Sequence, residues 1–290
     1  MAGKGTNFDE FIASEIKKYR GVSIPVKSGL LRRALIRKCS WKKMHPNPDD
    51  EFSMPEIGPN REIISRYEQQ IRDVRAHAQH NFFSDRLIIQ RMRPDGYMIL
   101  NGHHRWAAAM RAGVATLPVK LVNLTGEKDI EKMLAQSSST KRVTMDLDEV
   151  VLAGKGMPEK TLPFPFSTVY RERIRLGVPA LTRFLTSAGY DVWIYTSEYY
   201  STEYLQRLLK LNRVYVQGII TGTGRKIRGR KEVRERVDSL FAKHYTDTYH
   251  IDGRAVLHTS SGNRDFREFP LSGEPDRWSA EIMDIFGTFR

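Results

Sequence analysis

The sequence predicts a two-domain α/β protein, and three observations predict it. The chain has 290 residues, which suits two domains of ordinary size. A polar run over 136–140, Gln-Ser-Ser-Ser-Thr, reads as a linker. Before it, helical periodicity mixes with a hairpin signal, the pattern of an α+β domain. After it, short buried apolar runs alternate with helical stretches, the pattern of a parallel sheet. The expected division is a basic helical extension over 1–49, an α+β domain over 50–124, a helix and linker over 125–141 and a parallel-sheet domain over 142–290.

Hydrophobic residues make up 40% of the chain, enough for real cores, and 28% are charged, as in a soluble protein. No apolar run is long enough to span a bilayer, and the first residues lack the apolar segment of a secretory signal. The single cysteine, Cys39, excludes an internal disulfide and a cysteine-rich zinc site, so a reducing cytoplasm is the expected location. The net charge of +13 predicts an anionic partner: DNA or RNA, a nucleotide, a phosphorylated protein or a membrane surface. Any one cationic cluster taken alone reads better as a solvated face.

Taken in order, Phe8, Ile12, Ile16 and Tyr19 recur at helical spacing and predict an amphipathic helix over 8–19. Over 27–43, Leu30, Leu31, Leu35 and Ile36 interleave with cations. These leucines are expected in the core, the alternative being a stretch lying on nucleic acid or acidic lipid. The proline-rich run 45–60 predicts a loop folding over a site. Ile63, Ile64, Tyr67, Ile71 and Val74 form the apolar face of a helix over 61–79. Strands over 86–92 and 97–100 then flank an Arg-Pro-Asp-Gly turn.

That hairpin delivers Asn101, Gly102, His103, His104 and Arg105 ahead of a helix over 107–112 and a strand over 117–122. A glycine before a helix start lets backbone amides approach an anion, which the helix dipole also favours. The histidines and Arg105 add donors suited to phosphate. Adjacent histidines do not face one metal from a strand or a helix, so phosphate is preferred to zinc. The plainer alternative packs one histidine beneath the helix and places Arg105 in a structural ion pair.

Strand, Asn-Gly-His-His-Arg, alanine-rich helix, glycine and Pro-Val strand resemble the ParB/sulfiredoxin superfamily over roughly 50–124. The corner is nearest the free-serine-kinase-like branch, whose form is Asp-Gly-His-His-Arg. The resemblance implies a site for ATP, ADP or CTP at Asn101, Gly102, His103, His104 and Arg105, with kinase or NTPase activity attached. Glu56, with Glu62 second, is the candidate for the glutamate that members carry upstream of their first helix. Two departures stand out. Asn101 replaces an acid, and an amide is no general base. A histidine stands where sulfiredoxins have their cysteine. No clear helix-turn-helix follows, which weakens a partition-protein reading.

The second domain is organised around 142–152, where two apolar runs bracket Asp146 and Asp148. The first run reads as a buried parallel strand, which places the acids at its carboxyl end, where chemistry collects in open α/β sheets. On an extended chain the two carboxylates point the same way. That suits a hard cation such as Mg²⁺, or a nucleophile beside a general acid. A glycine- and proline-rich segment over 154–166 leads to a helix with Leu176, Leu181, Phe184 and Leu185 on its apolar face. Then come a strand over 192–195 ending in Thr196, a helix over 198–211, a glycine- and cation-rich loop over 221–231 and a helix over 231–241. A strand ending in Asp252, a loop with a short strand over 258–270 and a closing helix over 278–286 complete the domain.

Asp-Leu-Asp-Glu resembles motif I of the haloacid dehalogenase (HAD) superfamily of phosphohydrolases, nearest the branch of the small C-terminal-domain phosphatases. Thr196 matches motif II, Lys231 motif III with Lys226 as runner-up, and Asp252 motif IV. The resemblance implies a Rossmannoid parallel sheet with no large cap, and Mg²⁺-dependent hydrolysis of a phosphomonoester. Asp146 would form an aspartyl-phosphate, Asp148 would act as general acid and base, and Thr196 and Lys231 would stabilise the phosphoryl oxygens. The metal set would be Asp146, Asp148 (through its carbonyl) and Asp252. Gly253 follows Asp252 where most of the superfamily has a second acid, although the small-phosphatase branch often has Asp-Asn. The substrate would be a phosphoprotein, a small molecule or a nucleic-acid end. The alternatives are a nucleotide-switched DNA-binding regulator with a non-catalytic HAD scaffold, and a nucleic-acid end-processing phosphatase.

Overall fold

The structure, a computed structural model, describes residues 8–76, 83, 85–223, 231–260 and 266–289. The described chain divides into two units of mixed α/β structure, with the main cut between Asn123 and Leu124 and with Lys231 grouped with the first unit.

The first unit opens with α1 (Phe8–Tyr19), β1 (Ile24–Pro25), α2 (Leu30–Leu35), β2 (Lys38–Ser40) and β3 (Met44–His45). It continues with α3 (Arg61–Ala76), β4 (Leu87–Arg93), β5 (Tyr97–Asn101), α4 (His103–Arg111) and β6 (Thr116–Leu121). The sheet order is β2-β6-β4-β5-β3, with β1 also on β4. β4 and β5 pair antiparallel as the expected hairpin. β6 returns parallel to β4 because α4 crosses between the two. Ile64 and Ile71 of α3 and Trp106 to Ala109 of α4 fill the core against Leu87, Ile89 and Ile99.

Two expectations change here. α4 begins at His103, not at 107, so the His-His-Arg run is helical. The leucines of 27–43 are not core: Leu30, Leu31 and Leu35 are 51%, 77% and 78% exposed. α2 is under two turns long and buries nothing. Beyond it the chain leaves for the sheet, where Cys39 pairs with Leu117. Residues 77–79 of the expected third helix lie outside the described residues.

The second unit holds α5 (Glu127–Ala135), β7 (Lys141–Asp146), β8 (Glu159–Lys160), α6 (Phe166–Val169) and β9 (Ile174–Arg175). Then follow α7 (Val178–Ser187), β10 (Asp191–Thr196), α8 (Thr202–Leu211), β11 (Gly218–Thr221) and α9 (Lys231–His244). It closes with β12 (Asp247–Ile251), β13 (Ala255–Ser260), β14 (Phe266–Pro270) and α10 (Trp278–Gly287). The sheet order is β11-β10-β7-β12-β13-β14. The first four strands are mutually parallel, and β13 and β14 continue antiparallel. Residues of α7, α8 and α10 form one apolar cluster with the sheet. Ile130 of α5, Phe241 of α9 and Tyr245 just after that helix form another around Trp193.

Three local expectations differ. Ser137 Oγ bonds Asp191 and Ser139 Oγ donates to the Gly189 carbonyl (2.6 Å), so the serine run is tied into the second unit. The segment after 166 turns into α6 and β9 before α7 begins, and β9 pairs with β8. Leu176, expected in the core, is therefore 56% exposed between β9 and α7. The expected loop with a short strand over 258–270 holds the last half of β13 as well as all of β14. No helix among the described residues is long and apolar enough to cross a membrane.

Candidate functional site

Asp146 is the last residue of β7, which lies between β10 and β12. Tyr195 pairs with Asp146, and Ile251 with Met145. Thr196 and Asp252 are therefore the next residues along the two flanking strands. Three parallel strands thus deliver Thr196, Asp146 and Asp252 to one sheet edge.

The chain does not stay extended after Asp146. It enters one π-helical turn, Leu147–Val151, anchored by buried Leu147, Val150 and Val151. Asp146 Oδ1 caps that turn, accepting from Asp148 N (2.7 Å) and Glu149 N (2.9 Å). The proximity of the two acids therefore comes from a capped turn rather than from strand alternation. Asp252 repeats the device: its Oδ1 accepts from Arg254 N (2.6 Å) and Ala255 N (2.8 Å) in the turn into β13. Each acid thus gives one oxygen to local backbone, and its Oδ2 lies outside the cap.

Asp148 faces the other way. Its Oδ2 accepts a hydrogen bond from Thr196 Oγ1 at 2.6 Å, and Thr196 is fully buried. The three carboxylates do not gather as one metal cluster: among the described residues no group of three or more His, Cys, Asp or Glu side chains does. The Asp148 carboxylate is engaged by Thr196, and the expected metal set reaches Asp148 through its carbonyl and not through that carboxylate. The Oδ2 atoms of Asp146 and Asp252, at the ends of adjacent strands, are hard oxygen donors of the type Mg²⁺ takes.

The Asp148 carboxyl is raised above its ordinary range. Burial is the main cause, the Asp146 charge adds to it, and the Thr196 hydrogen bond opposes it. Thr196 Oγ1 also accepts from Glu198 N (3.0 Å), and its only hydrogen goes to Asp148. Donation to a phosphoryl oxygen thus requires that hydroxyl to rotate. Tyr200 stands in the field of Asp148, its phenol pushed up by burial first, then by Glu172 and Asp148. Tyr200 stacks on Tyr204 at 6.1 Å, and Tyr204 donates to Glu172. The sequence singled out these tyrosines but not Glu172. Lys231 opens α9, but its side chain is not among those described, and Lys226 lies outside the described residues.

The other corner lies at the end of β5. Gly102 holds a left-handed φ of +101°, and a Cβ there would meet Leu87 Cγ at 2.8 Å, so both conformation and space demand glycine. His103 is buried, and its Nε2 accepts from Asn47 N (3.2 Å). His104 Nε2 accepts from Asn60 N (3.1 Å), and burial lowers its basicity against the opposing pull of Asp50. Phe52 stacks on His103 (5.4 Å) and meets His104 edge-on (5.1 Å). Arg105, 9% exposed, donates to the Asp85 carbonyl (2.7 Å) and to Asn101 Oδ1 (3.0 Å).

The expected loop over 45–60 therefore does fold over this corner, but the two histidines marked for phosphate hold that loop, while Arg105 holds Asn101 and the Asp85 carbonyl. Arg105 bonds a carbonyl and an amide, not an ion-pair partner. Glu56 is exposed in a turn of the loop, and Glu62 is exposed in the first turn of α3. What the corner leaves for an anion is the first-turn backbone of α4 behind Gly102. Asn47, Asp50 and Asn60 escaped the sequence reading, since their only signal was membership of a turn-rich run.

Residues 60–138 match the family described as ParB N-terminal domain. A comparison with curated proteins finds no match. Among solved structures, the C-terminally truncated chromosome-partitioning protein ParB from Caulobacter crescentus, complexed with CTP-gamma-S, is 23% identical, with a TM-score of 0.25. That match covers 36% of this chain and spans 55% of the partitioning protein's chain. Free serine kinase in complex with AMP is 13% identical, over 81% of this chain and 91% of that one, with a TM-score of 0.22. A mutant of that kinase in complex with ADP is also 13% identical, over 86% and 95%, with a TM-score of 0.23. These scores are too low to carry fold or function across.

Proposed function

We propose that the second unit is a Mg²⁺-dependent phosphomonoester hydrolase of the HAD type, joined to a ParB-like nucleotide-binding domain. The observation that supports it most is the meeting of Asp146, Asp148, Thr196 and Asp252 at the carboxyl ends of β7, β10 and β12, with the Asp148 carboxyl raised above its ordinary range.

The Asp146 carboxylate attacks phosphorus, and the bond to the leaving oxygen breaks as Asp148 delivers its proton. The resulting Asp148 carboxylate then takes a proton from water, which attacks the same phosphorus and releases phosphate from Asp146. Mg²⁺ held by Asp146, Asp252 and the Asp148 carbonyl would neutralise the repulsion between nucleophile and phosphoryl oxygens. Thr196 donates to a phosphoryl oxygen once Asp148 is protonated and no longer needs its hydrogen. Lys231 carries the positive charge that the resemblance assigns to it. Only a two-strand hairpin and α6 intervene between Asp148 and α7. Such an open crevice suits a substrate that protrudes, a phosphoprotein segment or a nucleic-acid end, and the +13 charge favours both.

For the first unit, the ParB match and the glycine-led start of α4 support binding of ATP, ADP or CTP. Asn101 in place of an acid favours binding over phosphoryl transfer. That same observation favours a second reading, a nucleotide-switched DNA-binding regulator, which predicts steeply salt-dependent retention on duplex DNA. The decisive experiment is hydrolysis of an aryl phosphate with Mg²⁺ and with EDTA, beside Asp146→Asn. Metal-dependent turnover lost in the variant supports the hydrolase. Turnover retained in the variant refutes it.

A further inference from the structure

The first unit carries a second cationic feature, remote along β5 from the Asn101 corner. A half-open cavity of about 360 Å³ lies at the Tyr97 end of that strand. Arg32, Lys42, Lys43 and Arg91 line it, against one carboxylate, Asp95. That carboxylate already accepts a hydrogen bond from Tyr19 Oη (2.9 Å). Among the described residues no carboxylate pairs with any of the four cations. Its floor is close-built: Gly96 has φ +71°, and a Cβ there would stand 2.6 Å from His45 Nε2 and 2.7 Å from the Lys43 carbonyl oxygen.

Arg32 reaches the cavity from α2, the helix that buries nothing. Leu31 and Leu35 are one turn apart on α2, and Leu35 is also a turn from Arg32, so all three share one side of the helix. Ile24, 62% exposed, sits on β1, which pairs with β4 next to Arg91. Exposed aliphatic side chains thus sit on α2, which supplies Arg32 to the cavity, and on β1, which pairs with β4 beside Arg91.

We propose that this face docks on an anionic lipid bilayer, with a lipid phosphate in the cavity and Leu31 and Leu35 in the headgroup–acyl boundary. The charge calls for a phosphate-rich partner, and the leucines decide which one. A nucleic-acid backbone offers them nothing to be buried in, whereas an anionic bilayer meets both demands. The face does not depend on the hydrolase reading, and it uses no residue of either candidate site.

The test is co-sedimentation of the full chain with phosphatidylcholine vesicles and with vesicles containing phosphatidylserine, near 0.1 M salt. The parent is expected to sediment with the serine-containing vesicles alone. Lys42→Glu with Lys43→Glu, and separately Leu31→Ser with Leu35→Ser, should each weaken that binding about tenfold or more. All four positions are exposed, and unchanged melting curves would verify the fold. Absence of vesicle binding overturns the proposal. So does binding indifferent to the leucine pair, or a cation-dependent retention on duplex DNA in its place. Loss of a dimer of this chain in the leucine variant, without vesicle binding by the parent, would assign the face to self-association.

Discussion

At the end of β5, the side chains of His103 and Arg105 turn inward; at the end of β7, Asp146 and Asp148 stay open to the crevice. Both places are strand-to-helix junctions dense in polar residues. They differ in what the local backbone needs. The corner carries a loop whose amides at Asn47 and Asn60 require acceptors, and the two histidines supply them. The crevice turns need only one oxygen from Asp146 and one from Asp252. A polar side chain becomes available for chemistry only after nearby backbone groups are satisfied.

Asp146→Asn tests that contrast most strongly. Turnover should fall by roughly 10³-fold or more, as for loss of a covalent nucleophile. Nucleotide binding by the first unit, followed by calorimetry, should be unchanged; a parallel loss of both would erase the distinction. Arg105→Ala comes next. It removes a 9%-exposed guanidinium with its bonds to the Asp85 carbonyl and Asn101 Oδ1 and should cost about 2 kcal/mol in urea unfolding, whereas Asp146→Asn should stay within about 0.5 kcal/mol. If Arg105→Ala left stability intact and abolished nucleotide binding, the corner would be a ligand site of the same kind as the crevice.

Thr196→Val should lower turnover by about tenfold, the scale of one lost hydrogen bond in the transition state. It should also move the alkaline limb of the pH–rate profile upward. Asp148 must be protonated to act as acid, so activity falls as pH rises through its pKa. Removing the Thr196 bond withdraws what stabilises the carboxylate and raises that pKa further. A limb that moved downward would refute the pairing.

The smallest effect concerns His104. Its folded pKa lies below the usual 6.5, so between the two values the unfolded chain binds more protons. Stability of the first unit should therefore be full above the usual value and decline as pH falls toward the folded one. Melting curves from about pH 7.5 down to about pH 5 should show this, and His104→Gln should flatten the slope.

The elements that alternation and periodicity mark most clearly were legible, including the β4–β5 hairpin, the strands that end at Asp146 and Thr196, and α10. Their apolar residues are the ones the sheets and helices bury. The misreadings have local causes. Leu30, Leu31 and Leu35 carry a core pattern, but a helix of under two turns cannot bring them to a core. Leu176 fits the apolar stripe of α7, yet β9 takes up the chain just before it. The order of Asp146, Thr196 and Asp252 was visible as acids and a hydroxyl at strand ends. The partnership of Thr196 with Asp148 was not, because it joins residues on different strands through a turn that no residue type announces.

The place of β7 between β10 and β12 has a consequence for how the crevice comes into being. Its partners begin about 50 and about 105 residues further along the chain, so no local pairing assembles the edge. During synthesis Asp146 and Asp148 emerge long before Asp252. The acids therefore wait as part of an incomplete sheet whose central strand lacks a neighbour, a period in which its exposed edge is open to mispairing. On the hydrolase proposal, competence at this edge arises only when β12 docks and brings Asp252 beside Asp146, which makes the arrival of that strand the last step in assembling the proposed site.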